Sequence, residues 1–167
     1  YGACQLITVN LSYDEWFHSV EVGLLRQHHS LHKGSKDSLY HKPWMDQLDI
    51  HILGACGECA VAKALNKFWP GHVNKYQEEA DIPPAYEVRH RTKDHYDLIV
   101  HDKDPEKRIY VLSIGSKESL PKIKIVGWLK GTEAKREEWI RAYGGWKPAY
   151  FVPQSALRPI EELLREA

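Results

Sequence analysis

Residues 5–11 (QLITVNL) are apolar and rich in β-branched side chains, and they read as a short strand. Ser12 follows, with Glu15 three positions on. That spacing marks a helix start at which each side chain satisfies the other's backbone N–H. Trp16, Val20, Leu24 and Leu31 then recur at helical spacing and predict a helix running to about residue 32. Residues 33–47, with Gly34, Ser35, Lys36, Asp37, Ser38 and Pro43, read as a polar loop. A second helical region is predicted from about 46 to 68, bent near Gly54 and Gly57, with Val61, Leu65 and Phe68 as its apolar stripe. Trp69-Pro70-Gly71 stops it, and a loop runs to Pro83-Pro84.

The second half of the chain changes period. Segments 85–91 (AYEVRHR), 96–101 (YDLIVH), 108–114 (RIYVLSI) and 122–129 (KIKIVGWL) read as four strands. Asp102-Lys103-Asp104-Pro105-Glu106 is turn chemistry, which predicts a hairpin between the second and third of them. Thr132 is placed to cap a helix of about ten residues ended by Gly144-Gly145. A fifth strand (148–152) and a short helix (159–166) complete the chain. The order predicts an α+β fold: a mixed, mainly antiparallel sheet of about five strands flanked by helices. A single domain over 1–167 is expected, helical from about 12 to 69 and sheet-rich from about 85 to 153.

Composition narrows the classes of function. Lys+Arg and Asp+Glu are both 23, so the net charge is zero. That excludes a histone-like polycation and an acidic mimic of DNA. No apolar run approaches the ~20 residues of a membrane span. Three cysteines, Cys4, Cys56 and Cys59, are too few for a disulfide framework, so a reducing, cytoplasmic compartment is expected. The start at Tyr1-Gly2-Ala3-Cys4 lacks a basic and an apolar region, so no signal peptide is expected. The absence of an initiator Met reads as trimming or as disorder before Tyr1.

Four constellations carry candidate chemistry. Glu58 lies three residues before Val61, on the core-facing stripe. A carboxylate there is costly unless it binds a cation or is paired, for instance with Arg89. Asp97 shares a strand face with Ile99 and His101. A strand Asp with a helix Glu offers oxygen ligands suited to Mg²⁺; a turn-proximal surface Asp is the other reading. Cys56-x-x-Cys59 has no second pair to complete a zinc site, and zinc is not expected. His28-His29-x-x-His32 places imidazoles on one helix face, with a solvated face as the plain reading. Finally, six Lys/Arg against two Glu lie between 115 and 136, with Arg89 and Arg91 upstream. Arg89, Arg91, Lys122 and Lys124 read as contacts to a phosphate backbone, with Trp128 as a stacking platform. A lysine-guarded sheet edge is the alternative.

Two resemblances follow. GACGECAVAKALNKFW, YDLIVHDKD and IVGWLKGTEAKREEW, within residues 12–160, resemble an uncharacterised family of small bacteriophage and prophage proteins. This implies a phage or mobile-element setting in a bacterial cell. The element order also resembles the core of the PD-(D/E)xK nuclease superfamily. That resemblance implies Glu58 and Asp97 as Mg²⁺ ligands and Lys117 as a partner of the scissile phosphate. The third strand departs from the family pattern: Ser113-Ile114-Gly115 stands where E-x-K belongs, and KIKIVGWL is an additional strand. The expected function is therefore a nuclease-like-fold module that binds nucleic acid or a host protein without catalysis. A divergent Mg²⁺-dependent nuclease and a structural assembly protein are the alternatives.

Overall fold

The computed structural model describes residues 6–33, 44–74 and 78–166. The expected polar loop over 34–43, with the start of the first strand and Cys4, lies outside them. The chain is α+β. Helix α1 (Tyr13–Lys33) and helix α2 (Trp44–Ala64) pack on one another between strand β1 (Ile7–Asn10) and strand β2 (Tyr86–Arg91). Then come β3 (Leu98–His101), β4 (Ile109–Ile114), β5 (Lys122–Lys130), the short α3 (Gly131–Ala134), β6 (Ile140–Arg141), β7 (Ala149–Val152) and α4 (Ile160–Glu166).

Among the described residues the strands form two sheets rather than one. The first has the order β1-β5-β4-β2, with β2 parallel to β4 and the other pairs antiparallel. The second is antiparallel, in the order β3-β7-β6. Alternation along β4 and β5 divides the core into two. Val111, Ile123, Ile125 and Trp128 face α2, while Tyr110, Leu112, Ile114 and Val126 face the three-stranded sheet. The layers are thus helices, four-stranded sheet, three-stranded sheet. β4 is buried on both faces, which is why IYVLSI reads as a continuous apolar run.

Several expectations need correction. β3 and β4 do not form a hairpin; β3 pairs with β7 and β4 with β2 and β5. The turn between them is made: Asp104 Oδ2 accepts the His101 N–H at 2.8 Å and Asp104 N–H donates to His101 O at 3.0 Å. It carries the chain from one sheet to the other instead of reversing it within one. The ten-residue helix after Thr132 is four residues long, and a 3₁₀ turn (Glu137–Trp139) takes over. Burying Trp139 in the second core outweighs helix propensity there. Gly144 (φ 50°) and Gly145 (φ 83°) do supply left-handed backbone, but in the connection between β6 and β7. α2 is continuous through Gly54 and Gly57. Phe68 lies outside α2 and is 82% exposed.

The Ser12–Glu15 cap forms as read. Ser12 N–H donates to Glu15 Oε2 at 2.7 Å, and Glu15 N–H donates to Ser12 Oγ at 3.2 Å. The apolar positions of α1 are another matter. An apolar stripe ordinarily faces the core. Here the buried face is Ser19, Val22, Gly23, Arg26 and Gln27, while Leu24 and Leu31 are exposed. Gly23 explains the preference. A Cβ there would come within 2.7 Å of the Ile52 backbone, so α1 and α2 approach more closely than larger side chains allow.

Candidate functional site

Glu58 is 7% exposed and points at α1. Arg26 donates to both its oxygens, at 2.8 Å each, and Trp69 Nε1 donates to Oε2 at 3.0 Å. Arg26 Nε also donates to His72 O at 2.8 Å. The expected arginine partner exists, but it is Arg26, not Arg89. Burial raises the pKa of Glu58 and the charge of Asp81 adds to it, while Arg26 and Trp69 pull it back. With both oxygens engaged, Glu58 is not presented to a cation or to a water as the nuclease resemblance implies.

Asp97 sits just before β3, and its charge acts on Arg91. Lys117 is exposed, and its Nζ is 2.7 Å from Asp49 Oδ2 on α2. Neither is among the hydrogen-bond partners of Glu58. Among the described residues no group of three or more His, Cys, Asp or Glu side chains is arranged to hold a metal ion. Cys56 and Cys59 are buried free thiols, and burial pushes Cys56 up to about 12.

Arg89 and Trp128 also turn inward. Arg89 donates to Asp104 at 2.8 Å and to Glu87 at 3.3 Å, and Arg108 pairs with Glu87 from the other side. Trp128 is 2% exposed, and its Nε1 donates to Pro159 O at 3.0 Å, so neither ring face is open to a base.

Asp81 and His90 give the fold a pH dependence. Asp81 accepts the Val88 N–H at 2.8 Å; burial and Glu87 push its carboxyl up to about 6. The folded chain therefore keeps a proton that the unfolded chain releases near 3.8, and this group lowers stability as pH rises between those values. His90 does the reverse. It lies against Gly57, with Nδ1 2.9 Å from Ser113 Oγ and Nε2 2.9 Å from Gly115 O. Burial holds it down at about 4, so the unfolded chain binds the extra proton up to about 6.5, and stability is gained as pH rises. The two offset each other in the native chain. Asp81→Asn removes one of them, so its melting temperature should climb more steeply from pH 4.5 to 6 than that of the native chain. Thermal melts at the two pH values check this, and parallel profiles would rule it out.

The remaining basic residues come together elsewhere. An open groove of about 840 Å³ lies where the end of β4, the 116–121 turn and the start of β5 meet Thr8 of β1 and Thr92–Asp94 after β2. Lys93, Lys122 and Lys124 line it, with Asp94 and Glu118 as the anions. Lys124 Nζ is 2.9 Å from Asp94 Oδ1, an exposed pair that phosphate can displace at little cost. Thr8, Thr92, Ser116 and Ser119 add hydroxyls. Ser119 spends its own on the turn, taking the Ser116 N–H at 2.9 Å and donating to Ser116 O at 3.1 Å. Arg91 is one residue from the wall. Its guanidinium lies 4.5 Å from the centre of the Tyr96 ring, and its buried Nη1 has no hydrogen-bond acceptor.

Of the residues read as backbone contacts, the structure thus gathers Lys122 and Lys124 in the groove, with Arg91 beside it. Thr92, Lys93 and Asp94 were missed, because directly after a strand they carry only a turn signal. No helix among the described residues is long and apolar enough to cross a membrane. Comparison with protein-family models, with curated proteins and with solved structures finds no match to this chain.

Proposed function

We propose that the protein is a nucleic-acid binding module that holds a sugar–phosphate backbone in the groove and does no chemistry through Glu58 and Asp97. The observation that carries this reading is the convergence of Lys93, Lys122 and Lys124 with the hydroxyls of Thr8 and Thr92 on one open wall. Ammonium heads supply charge and hydroxyls supply oriented donors, the two components of phosphate recognition that do not depend on base sequence. A net charge of zero fits a local patch rather than a polycation. The engagement of Glu58 by Arg26 favours binding over hydrolysis. The bacteriophage setting implied by the sequence resemblance is part of the same proposal.

Fluorescence anisotropy with labelled single- and double-stranded DNA and RNA, over a range of salt, tests it. The double variant Lys122→Ala/Lys124→Ala should flatten the slope of log affinity against log salt by about 1–2 and weaken binding about tenfold or more near 0.1 M salt. Asp94→Asn, which frees Lys124, should strengthen binding. If no oligonucleotide binds at low salt, or if the double variant binds with an unchanged slope, the groove is not a backbone site. A host-protein partner would then be the reading to pursue.

A further inference from the structure

The outward side of α1 carries an apolar stripe that no other described residue buries. Tyr13 is 76% exposed, Phe17 55%, Leu24 47% and Leu31 55%, and the half-buried Val20 completes the line. The spacing 13, 17, 20, 24, 31 keeps these side chains on one face over the length of a 21-residue helix. Tyr13 and Phe17 stack with ring centres 6.2 Å apart. A stripe of this length on a soluble surface marks an interface.

We infer that this face joins two copies of the chain through an antiparallel α1–α1 contact. The stripe is self-complementary about a twofold axis near residue 22. Tyr13 then lies opposite Leu31 of the other copy and Val20 opposite Leu24, while Phe17, level with the buried Gln27, falls between Leu24 and Leu31 of the other copy. The polar groups along one flank of the stripe have the same sense. Asp14 and Glu21 are exposed in its N-terminal half, and His28 and His32 in its C-terminal half. Antiparallel pairing sets the carboxylate of Asp14 against the imidazole N–H donors of the other copy, at both ends at once. Glu21, nearest the axis, has its own neighbour in His18 at 3.6 Å. A parallel pairing would set this flank against the other flank of the partner helix, so Asp14 and the histidines would not meet. Closing five side chains per copy, at about 100 Å² each, removes about 1,000 Å² in all, the lower bound for a specific interface. An interface at that lower bound makes a concentration-dependent dimer, and it stands independently of what the groove binds.

Sedimentation velocity on the purified chain, from about 5 to about 200 μM, reads the equilibrium. The native chain should shift from monomer to dimer across that range. Leu24→Glu should weaken association at least about tenfold. Phe68→Ser, which removes an exposed aromatic away from α1, should leave it unchanged. Asp14→Lys should weaken association, and Asp14→Lys/His32→Glu should restore it, because the swap re-creates an opposite-charge pair only between antiparallel helices. Circular dichroism melts confirm that each variant is folded. A chain that stays monomeric throughout, a dimer indifferent to Leu24→Glu, or a charge swap that fails to restore association would each overturn the inference.

Discussion

Glu58→Ala is expected to lower the stability of the protein by about 3–5 kcal/mol, the cost of leaving a buried charge without its partner. For a chain of this size that corresponds to a fall in melting temperature of roughly 10 °C or more. The reason is geometric. Arg26 is 4% exposed and holds Glu58 with two nitrogens, so truncating the carboxylate strands a guanidinium between α1 and α2. It also deprives the Trp69 indole N–H of its acceptor. Glu58→Gln should cost less, because an amide oxygen still accepts from Arg26. The double replacement Arg26→Met/Glu58→Leu should recover most of the loss, since it removes both charges and fills the space. Thermal or urea unfolding of the four proteins measures this. If the single Glu58→Ala variant melted within a degree or two of the native chain, the pair would not be the link between the helices described above. The same result bears on function. An activity lost in Glu58→Ala but kept in the double variant would have been lost through folding, not through a missing metal ligand.

Trp128→Ala is expected to cost about 3–5 kcal/mol, as for other large aromatic side chains removed from a core. The indole faces α2 among Val111, Ile123 and Ile125, and Nε1–H donates to Pro159 O. Its backbone also pairs with Arg158 in both directions, at 2.9 and 3.1 Å, which ties the segment before α4 to β5. The variant should therefore loosen α4 as well as the core, and amide exchange should rise across Ile160–Glu166. Nucleic-acid binding measured well below its melting temperature should keep the native salt slope, because the groove lies at the other end of β5. A Trp128→Ala variant that stays stable and loses affinity would return the side chain to the stacking role first suggested by its place in KIKIVGWL.

What the sequence discloses about this fold depends on whether the cause is local. The Ser12–Glu15 cap is complete within four residues and was legible. So was the need of Glu58 for a partner, since its position on the stripe of α2 follows from helical spacing alone. The identity of that partner was not legible, because Arg26 is brought in by the packing of another helix. Periodicity also says that α1 has an apolar side without saying that this side faces the core. Apart from Val22, the buried side is made of Ser19, Gly23, Arg26 and Gln27, residues that a hydrophobicity pattern does not select for a core. They are buried because a glycine lets the helices close together and because Arg26 has a carboxylate to meet. Turn chemistry at Asp104-Pro105 was legible as a turn and misleading as a hairpin. A turn fixes a change of direction, whereas the choice of sheet was settled by the two-sided burial of β4. The groove was half legible: Lys122 and Lys124 advertise themselves by alternation, while Lys93 and Thr8 reach the same wall from distant strands.

The separation of β3 from β4 also governs when the protein can be completed during synthesis. Leu98 and Val100 belong to a strand whose hydrogen-bonded partner, Ala149–Val152, is encoded about fifty residues later. At about 5–20 residues per second, a ribosome exposes β3 for several seconds before that partner exists. α1, α2 and the whole four-stranded sheet are translated before β7, so the three-stranded sheet closes over a surface already formed. Throughout that interval the nascent chain presents a short, apolar, unpaired edge, which is where molecular chaperones and unwanted strand pairing would compete for it.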